Sequence, residues 1–154
     1  MTPPVTNPKF MADHMLGSLA RWLRMMGYDT AYEKGLDDAR IAAVAKEQGR
    51  FVLTRDKELA KTPGAFLVEP DDLDEQLKAV GLKYGLKFDE TNIRCSACNG
   101  DLMDLPKEQA KSEVPDGAYA ANDKFWRCAK CRKVYWKGTH WHGIMDRLSK
   151  LGLA

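Results

Sequence analysis

Phe51-Val52-Leu53-Thr54-Arg55-Asp56 is the stretch that decides how this 154-residue chain is read. Its first four residues are apolar or β-branched with no charged break, the mark of a strand buried on both faces of a parallel sheet. The run stops at Arg55-Asp56, and Lys57 to Lys61 reads as a short helical stretch. Upstream, Asp37-Asp38 supplies an N-cap for a helix carried by Ile41, Val44 and Ala45 and stopped by Gly49. Earlier still, Leu16, Leu19, Ala20, Leu23 and Met26 follow helical spacing up to a stop at Gly27. Short strands are predicted over Lys9 to Ala12 and Tyr28 to Tyr32. Downstream, Ala65-Phe66-Leu67-Val68 reads as another buried strand, and Asp71-Asp72-Leu73-Asp74 opens a helix through Leu77, Val80 and Leu82. Strand and helix alternate throughout, so the expected fold class is α/β, a parallel sheet with helices on both faces.

Composition sets outer limits on this reading. Hydrophobic residues make up 44% of the chain, and 24 basic side chains against 22 acidic ones leave a net charge of +2. That balance excludes intrinsic disorder, and no apolar run is long enough for a membrane span. The charge is unevenly spread. Residues 1–90 carry 13 Lys/Arg and 15 Asp/Glu, whereas 124–150 holds eight basic residues and only Asp146 as an acid. Three domains are expected: a loose proline-bearing tail over 1–8, the α/β module over 9–90, and a basic cysteine-bearing unit over 91–154. The tail lacks the basic and apolar regions of a signal peptide, so a cytoplasmic location with reduced cysteines is expected.

Cys95-x-x-Cys98 and Cys128-x-x-Cys131, separated by 29 residues, use all four cysteines. Two such knuckles deliver four thiolates to one Zn²⁺, which makes the site structural because no coordination position stays open. His140 and His142 are therefore surplus to the metal. Phe125-Trp126-Arg127 and Val134-Tyr135-Trp136 read as the two strands of a small hairpin. The stretch between the knuckles, with Pro106, Pro115 and Gly117, reads as loop, and His140 to Leu153 as a closing helix.

Asp13 directly follows the first strand, Asp56 follows the best one, and Asp37 or Asp38 begins a helix. In a doubly wound sheet these positions gather at the carboxyl ends of the strands. Three converging carboxylates form an oxygen donor set suited to Mg²⁺ or Mn²⁺. Each of the three is equally well explained as a helix cap, and the pattern alone does not choose.

The string from Phe10 to Thr30, with Asp13-His14-Met15-Leu16-Gly17-Ser18-Leu19-Ala20-Arg21-Trp22-Leu23-Arg24 at its centre, resembles the opening of the mut-seven C-terminal RNase family, a PIN-like group. The likeness continues through Asp38 at a helix start, Leu53-Thr54-Arg55-Asp56, both cysteine pairs, and Val134-Tyr135-Trp136-x-Gly138-Thr139-His140, roughly residues 9–146 in all. It implies a PIN-like nuclease domain followed by a zinc ribbon, acting on RNA with a divalent metal held by Asp13, Asp38 and Asp56. Asp38 is preferred over Asp37 because it stands three residues before Ile41, as in the family pattern. PIN domains often carry a fourth acid, for which Asp71, Asp72 and Asp74 are candidates by position.

Arg21 and Arg24, one helical turn apart, are candidate phosphate forks or a solvated helix face. Arg55 is a third candidate for substrate binding, or a partner for a carboxylate. On the ribbon, basic residues alternate with Trp126, Tyr135, Trp136 and Trp141, a mixture that suits single-stranded RNA. The expected activity is metal-dependent, endonucleolytic cleavage of single-stranded RNA. The alternatives are an inactive PIN-like module that binds RNA or a partner, and a receiver-like or phosphatase-like acid pocket.

Overall fold

The computed structural model describes residues 7–154. Most of the expected 1–8 tail, residues 1–6, lies outside the described residues. Four parallel strands, β1 (Phe10–Ala12), β2 (Thr30–Tyr32), β3 (Phe51–Thr54) and β4 (Phe66–Leu67), pair in the order β2-β1-β3-β4. Phe10 is in register with Thr30 on one side and Phe51 on the other. The alternation of side chains across a strand assigns the layers. Phe10, Ala12 and Leu53 join a core with Leu19 and Leu23 of α1 (Gly17–Met25) and Leu77 and Val80 of α3 (Leu73–Tyr84). Met11 and Val52 point the other way, onto Ile41 and Ala45 of α2 (Asp38–Gln48). Helices thus cover both faces, as the buried strand pattern requires.

Helix ends follow local chemistry. Asp37 accepts from Arg40 N and Asp72 from Glu75 N, capping α2 and α3. Gly49 and Gly85 end them in the left-handed conformation, φ 66° and 67°. Gly27, after α1, combines φ +104° with a close approach: a Cβ there would lie 2.6 Å from the Asp89 carbonyl oxygen.

The ribbon is a three-stranded antiparallel sheet, β5 (Leu102–Leu105), β6 (Phe125–Cys128) and β7 (Val134–Trp136), in the order β5-β6-β7. The hairpin is where its sequence placed it. The stretch expected to be loop is not: it holds β5 and the short helices α4 (Lys107–Ala110) and α5 (Asp116–Ala121). Pro106 and Pro115, which read as loop markers, stand at the N-cap positions of these helices. A proline there sacrifices no intrahelical hydrogen bond, so the same residue signals a helix start as readily as a loop. Leu105, Ala110, Val114 and Phe125 form the ribbon's own core.

The last helix, α6 (Thr139–Lys150), leaves the ribbon. Its Leu148 and the following Leu153 are buried in the main core against α1 and α3, and Phe88 N donates to Leu153 O at 2.8 Å. Arg147 pairs with Asp74 and lies 4.9 Å from the Trp22 ring centroid. After the ribbon, α6 thus returns to pack on the α/β core. Leu148→Ala, at a fully buried position, should lower unfolding free energy by about 3 kcal/mol, read by urea denaturation. An unchanged midpoint would mean that α6 is only loosely attached.

Candidate active site and four-cysteine ribbon

β1 connects through α1 to β2 on one side, and β2 returns through α2 to β3 on the other. The switch point therefore lies between β1 and β3, and in folds of this kind ligands bind at the carboxyl ends of such strands. Asp13 continues β1 there, its N–H donating to Leu53 O at 3.0 Å. Its side chain is buried, 3% exposed, and held from three directions. Oδ1 accepts from Met15 N at 3.0 Å; Oδ2 accepts from Arg55 N at 3.1 Å and from the Thr54 hydroxyl. The Thr54 oxygen in turn accepts from Asp56 N at 2.9 Å. One fully buried hydroxyl thus ties the two acids together. Thr54 was missed as a site residue; its only signal is a polar side chain at the end of an otherwise apolar strand.

Asp56 caps the following turn, with Oδ1 accepting from Glu58 N at 2.7 Å and Leu59 N at 3.3 Å. Asp38 begins α2, whereas Asp37 is used as its cap. The Asp38 carboxyl is held above its ordinary pKa by lost hydration, then by the charges of Asp56 and Asp13 and a hydrogen bond with Asp56. The residue is exposed on the surface, so the nearby acids are the more informative cause. Asp13, Asp38 and Asp56 are therefore neighbours. Being a cap does not exclude Asp56 from this group. The cluster is open: among the described residues, the sets of three or more ligand groups within 4.8 Å of one another comprise only the four cysteines. An all-oxygen set in which one acid's charge hinders another's ionisation suits a hard divalent cation.

The fourth-acid candidates are engaged elsewhere. Asp71 pairs with Arg55, Asp72 caps α3, and Asp74 pairs with Arg147. The basic candidates also separate. Arg21 is exposed on α1. Arg24, expected at the surface, is buried, 4% exposed. Its Nε donates to Thr30 O and its Nη1 to Ser96 O, both at 2.9 Å, and burial lowers its pKa. The apolar stripe of α1 is wide enough to include it, and its length lets the guanidinium reach two carbonyls across the ribbon seam. Arg55 likewise turns inward, donating to the carbonyls of Val68, Glu69 and Pro70 and to Asp71.

The four cysteine sulfurs form one cluster, with Cys95–Cys131 at 3.6 Å and Cys98–Cys128 at 3.4 Å. A tetrahedron with Zn–S bonds of about 2.3 Å has edges of about 3.8 Å, so the set fits zinc. Burial raises the Cys128 thiol pKa, but the amides of Cys131 and Lys130 outweigh it and bring the thiol down to about 6. Burial and the bond to Cys128 push Cys98 up to about 12. A dication at the centre removes this conflict and lets all four bind as thiolates. Gly100 is required here, since a Cβ would lie 2.6 Å from the Cys128 sulfur. The Tyr135 hydroxyl stands 2.9 Å from the Cys95 sulfur, a contact no spacing rule would show.

A polar network joins the knuckle to the sheet. Asn99 accepts from Thr30 N at 3.0 Å and donates to Asp29 at 2.6 Å, and Asp29 pairs with Arg50 at 2.7 Å. Burial acts to raise the Asp29 pKa, but the bonds from Arg50 and Asn99 prevail and hold it below the usual carboxylate range. The folded state therefore binds this proton less readily than the unfolded state. Its stabilisation is present above about pH 4 and is lost as pH falls through the depressed value. Melting curves should show Asp29→Asn with a lower Tm at neutral pH and a shallower acid limb. Parallel acid limbs would remove Asp29 from the linkage.

No helix among the described residues is long and apolar enough to cross a membrane. The human protein named exonuclease mut-7 homolog is 34% identical over 103 residues, covering 60% of this chain but only 12% of its own length. The chain thus spans a small part of that curated relative. No solved structure matches the chain. The family model described as the Mut7-C RNase domain matches residues 8–148, which takes in the three acids, both cysteine knuckles and most of α6, and the chain belongs to that family.

Proposed function

We propose that this chain is a divalent-metal-dependent, PIN-like ribonuclease that cleaves single-stranded RNA internally, with a zinc ribbon that helps hold the strand. The observation that supports this reading is the proximity of Asp13, Asp38 and Asp56 near the carboxyl ends of β1 and β3, where lost hydration and then the charges of Asp56 and Asp13 hold the Asp38 carboxyl above its ordinary value. Mg²⁺ or Mn²⁺ held by these acids would supply Lewis-acid charge for phosphodiester hydrolysis. Asp13 is the fixed member, locked by Thr54 and two amides. Asp38 and Asp56 are exposed and provide the solvent-facing oxygens. Arg21 stands on the helix that starts beside Asp13 and suits a phosphate contact.

The rival reading, an inactive RNA- or partner-binding module, draws support from Arg24 and Arg55, both spent inside the fold. Cleavage of end-labelled single-stranded RNA during Mn²⁺ or Mg²⁺ titration separates the two. Internal cuts that require added metal and disappear in Asp38→Asn support the nuclease. Chelators are unsuitable, because they would also remove zinc. Absence of cleavage by the zinc-loaded wild type across the titration would leave the rival reading standing.

The raised Asp38 pKa, from lost hydration and then from its acidic neighbours, predicts a stability effect. The folded Asp38 carboxyl holds its proton more tightly than the unfolded one, so its charge opposes folding above its normal pKa and that opposition fades as pH falls. Asp38→Asn should therefore raise Tm slightly at neutral pH without added metal, while Mn²⁺ should raise Tm in the wild type more than in the variant. Equal shifts in both proteins would argue against Asp38 as a ligand.

A further inference from the structure

A cavity of about 350 Å³ opens where the ribbon sheet meets the end of α1 and α6, with Met25, Ile93, Trp126, Tyr135 and Trp141 among its walls. Its size falls at the small end of ligand pockets, room for one flat heterocycle. Trp126 and Tyr135 are directly opposite each other on β6 and β7, so their side chains share one sheet face. Ammonium groups stand against the aromatic rings: Lys124 is 5.8 Å from the Trp126 centroid, Lys133 is 5.3 Å from Tyr135, and Lys137 is 5.1 Å from Trp141. Lys137 also pairs with Glu90, and Arg94 with Asp101. Lys124 and Lys133 make no ion pair among the described residues.

We propose that this cavity holds one unstacked base of the single-stranded RNA, lying against Trp126 and Tyr135 with its flanking phosphates on Lys124 and Lys133. Taking RNA as the ligand rests on the ribonuclease reading. The charge pattern favours a nucleotide over a purely apolar guest: stacking faces lie inside, and cations without acid partners lie at their edges. The cavity is remote from the acids. Met25 ends the nine-residue α1, whose start follows Asp13, and that length alone spans on the order of 13 Å. A strand gripped here is therefore cut at least about two nucleotides away.

The test uses the full zinc-loaded chain carrying Asp56→Asn, so that binding is read without cleavage. Anisotropy gives Kd at fixed salt for a labelled oligouridylate and for an abasic strand of equal length. Trp126→Ala should weaken oligouridylate binding roughly tenfold and leave the abasic strand unaffected, and Trp126→Phe should restore most of the loss. Unchanged oligouridylate affinity would overturn the proposal, as would an equal loss on the abasic strand. The first of these is also the result expected if the cavity takes an aromatic side chain of a protein partner. Should Trp126→Ala fail to fold, Lys133→Ala at an exposed position should weaken both strands and flatten the salt dependence; no change in either would overturn the proposal. Cleavage by the wild type is scored separately. Base-dependent binding without cleavage would defeat the ribonuclease reading and leave the base pocket intact.

Discussion

Asp56→Asn should retain the fold and lose metal-dependent RNA cleavage by at least about a hundredfold, since a metal ligand supports several kcal/mol of transition-state charge stabilisation. The fold survives because an asparagine oxygen can still accept from the Glu58 and Leu59 amides that Asp56 caps now. Its charge, which bears on Asp38, disappears. Asp13→Asn is a poorer test, although both residues belong to the proposed site. Both Asp13 oxygens accept from donors, and an amide nitrogen in place of either would confront one. That variant should lose stability as well as activity, by about 1–3 kcal/mol for the unmet group. Single-turnover cleavage beside thermal melts separates the two effects. Full activity in Asp56→Asn, with its Tm near that of the wild type, would remove Asp56 from the catalytic set.

The other large effect is expected at the ribbon. Cys128→Ser should abolish stoichiometric zinc binding and unfold residues around 95–136, because structural zinc contributes roughly 10–16 kcal/mol to such a segment. The ribbon's own core is small, built on Leu105, Ala110, Val114 and Phe125, and cannot replace that term. The damage should spread. Arg24 and Asn99 tie the first knuckle to the backbone of Thr30 in β2, so the edge of the parallel sheet loses support. Amide hydrogen exchange should therefore show faster exchange in β6 and β7, with a smaller increase near Thr30. A protein that kept one zinc per chain and wild-type exchange would exclude the four-sulfur site.

Different physical signals account for what could and could not be read from the chain. Phe51 to Thr54 was legible because a doubly buried strand must be apolar throughout, and Gly49 because a left-handed stop favours glycine. The cysteine pairs were legible because metal-ligand spacing is local. β5 was not, since Leu-Met-Asp-Leu is too short and mixed to show a period. Its pairing with β6 is a contact distant in sequence. Arg24 was misread for a related reason. A long cation on an amphipathic helix looks the same whether it meets solvent or a pair of carbonyls from another segment.

Charge shows the division most clearly. A net charge of +2 hides an acid-bearing α/β module and a basic ribbon, and sequence position alone separates the two. By itself the sequence determined the α/β class, the four-cysteine knuckles and three candidate acids, all properties carried by neighbours along the chain. Tertiary structure decided the rest: that Asp38, Asp56 and Asp13 meet while Asp37 caps, that Thr54 links two of them, and that Arg24 and α6 fasten the ribbon to the core. These depend on where distant segments stop and which faces they bury, which is settled by packing and by the satisfaction of buried polar groups.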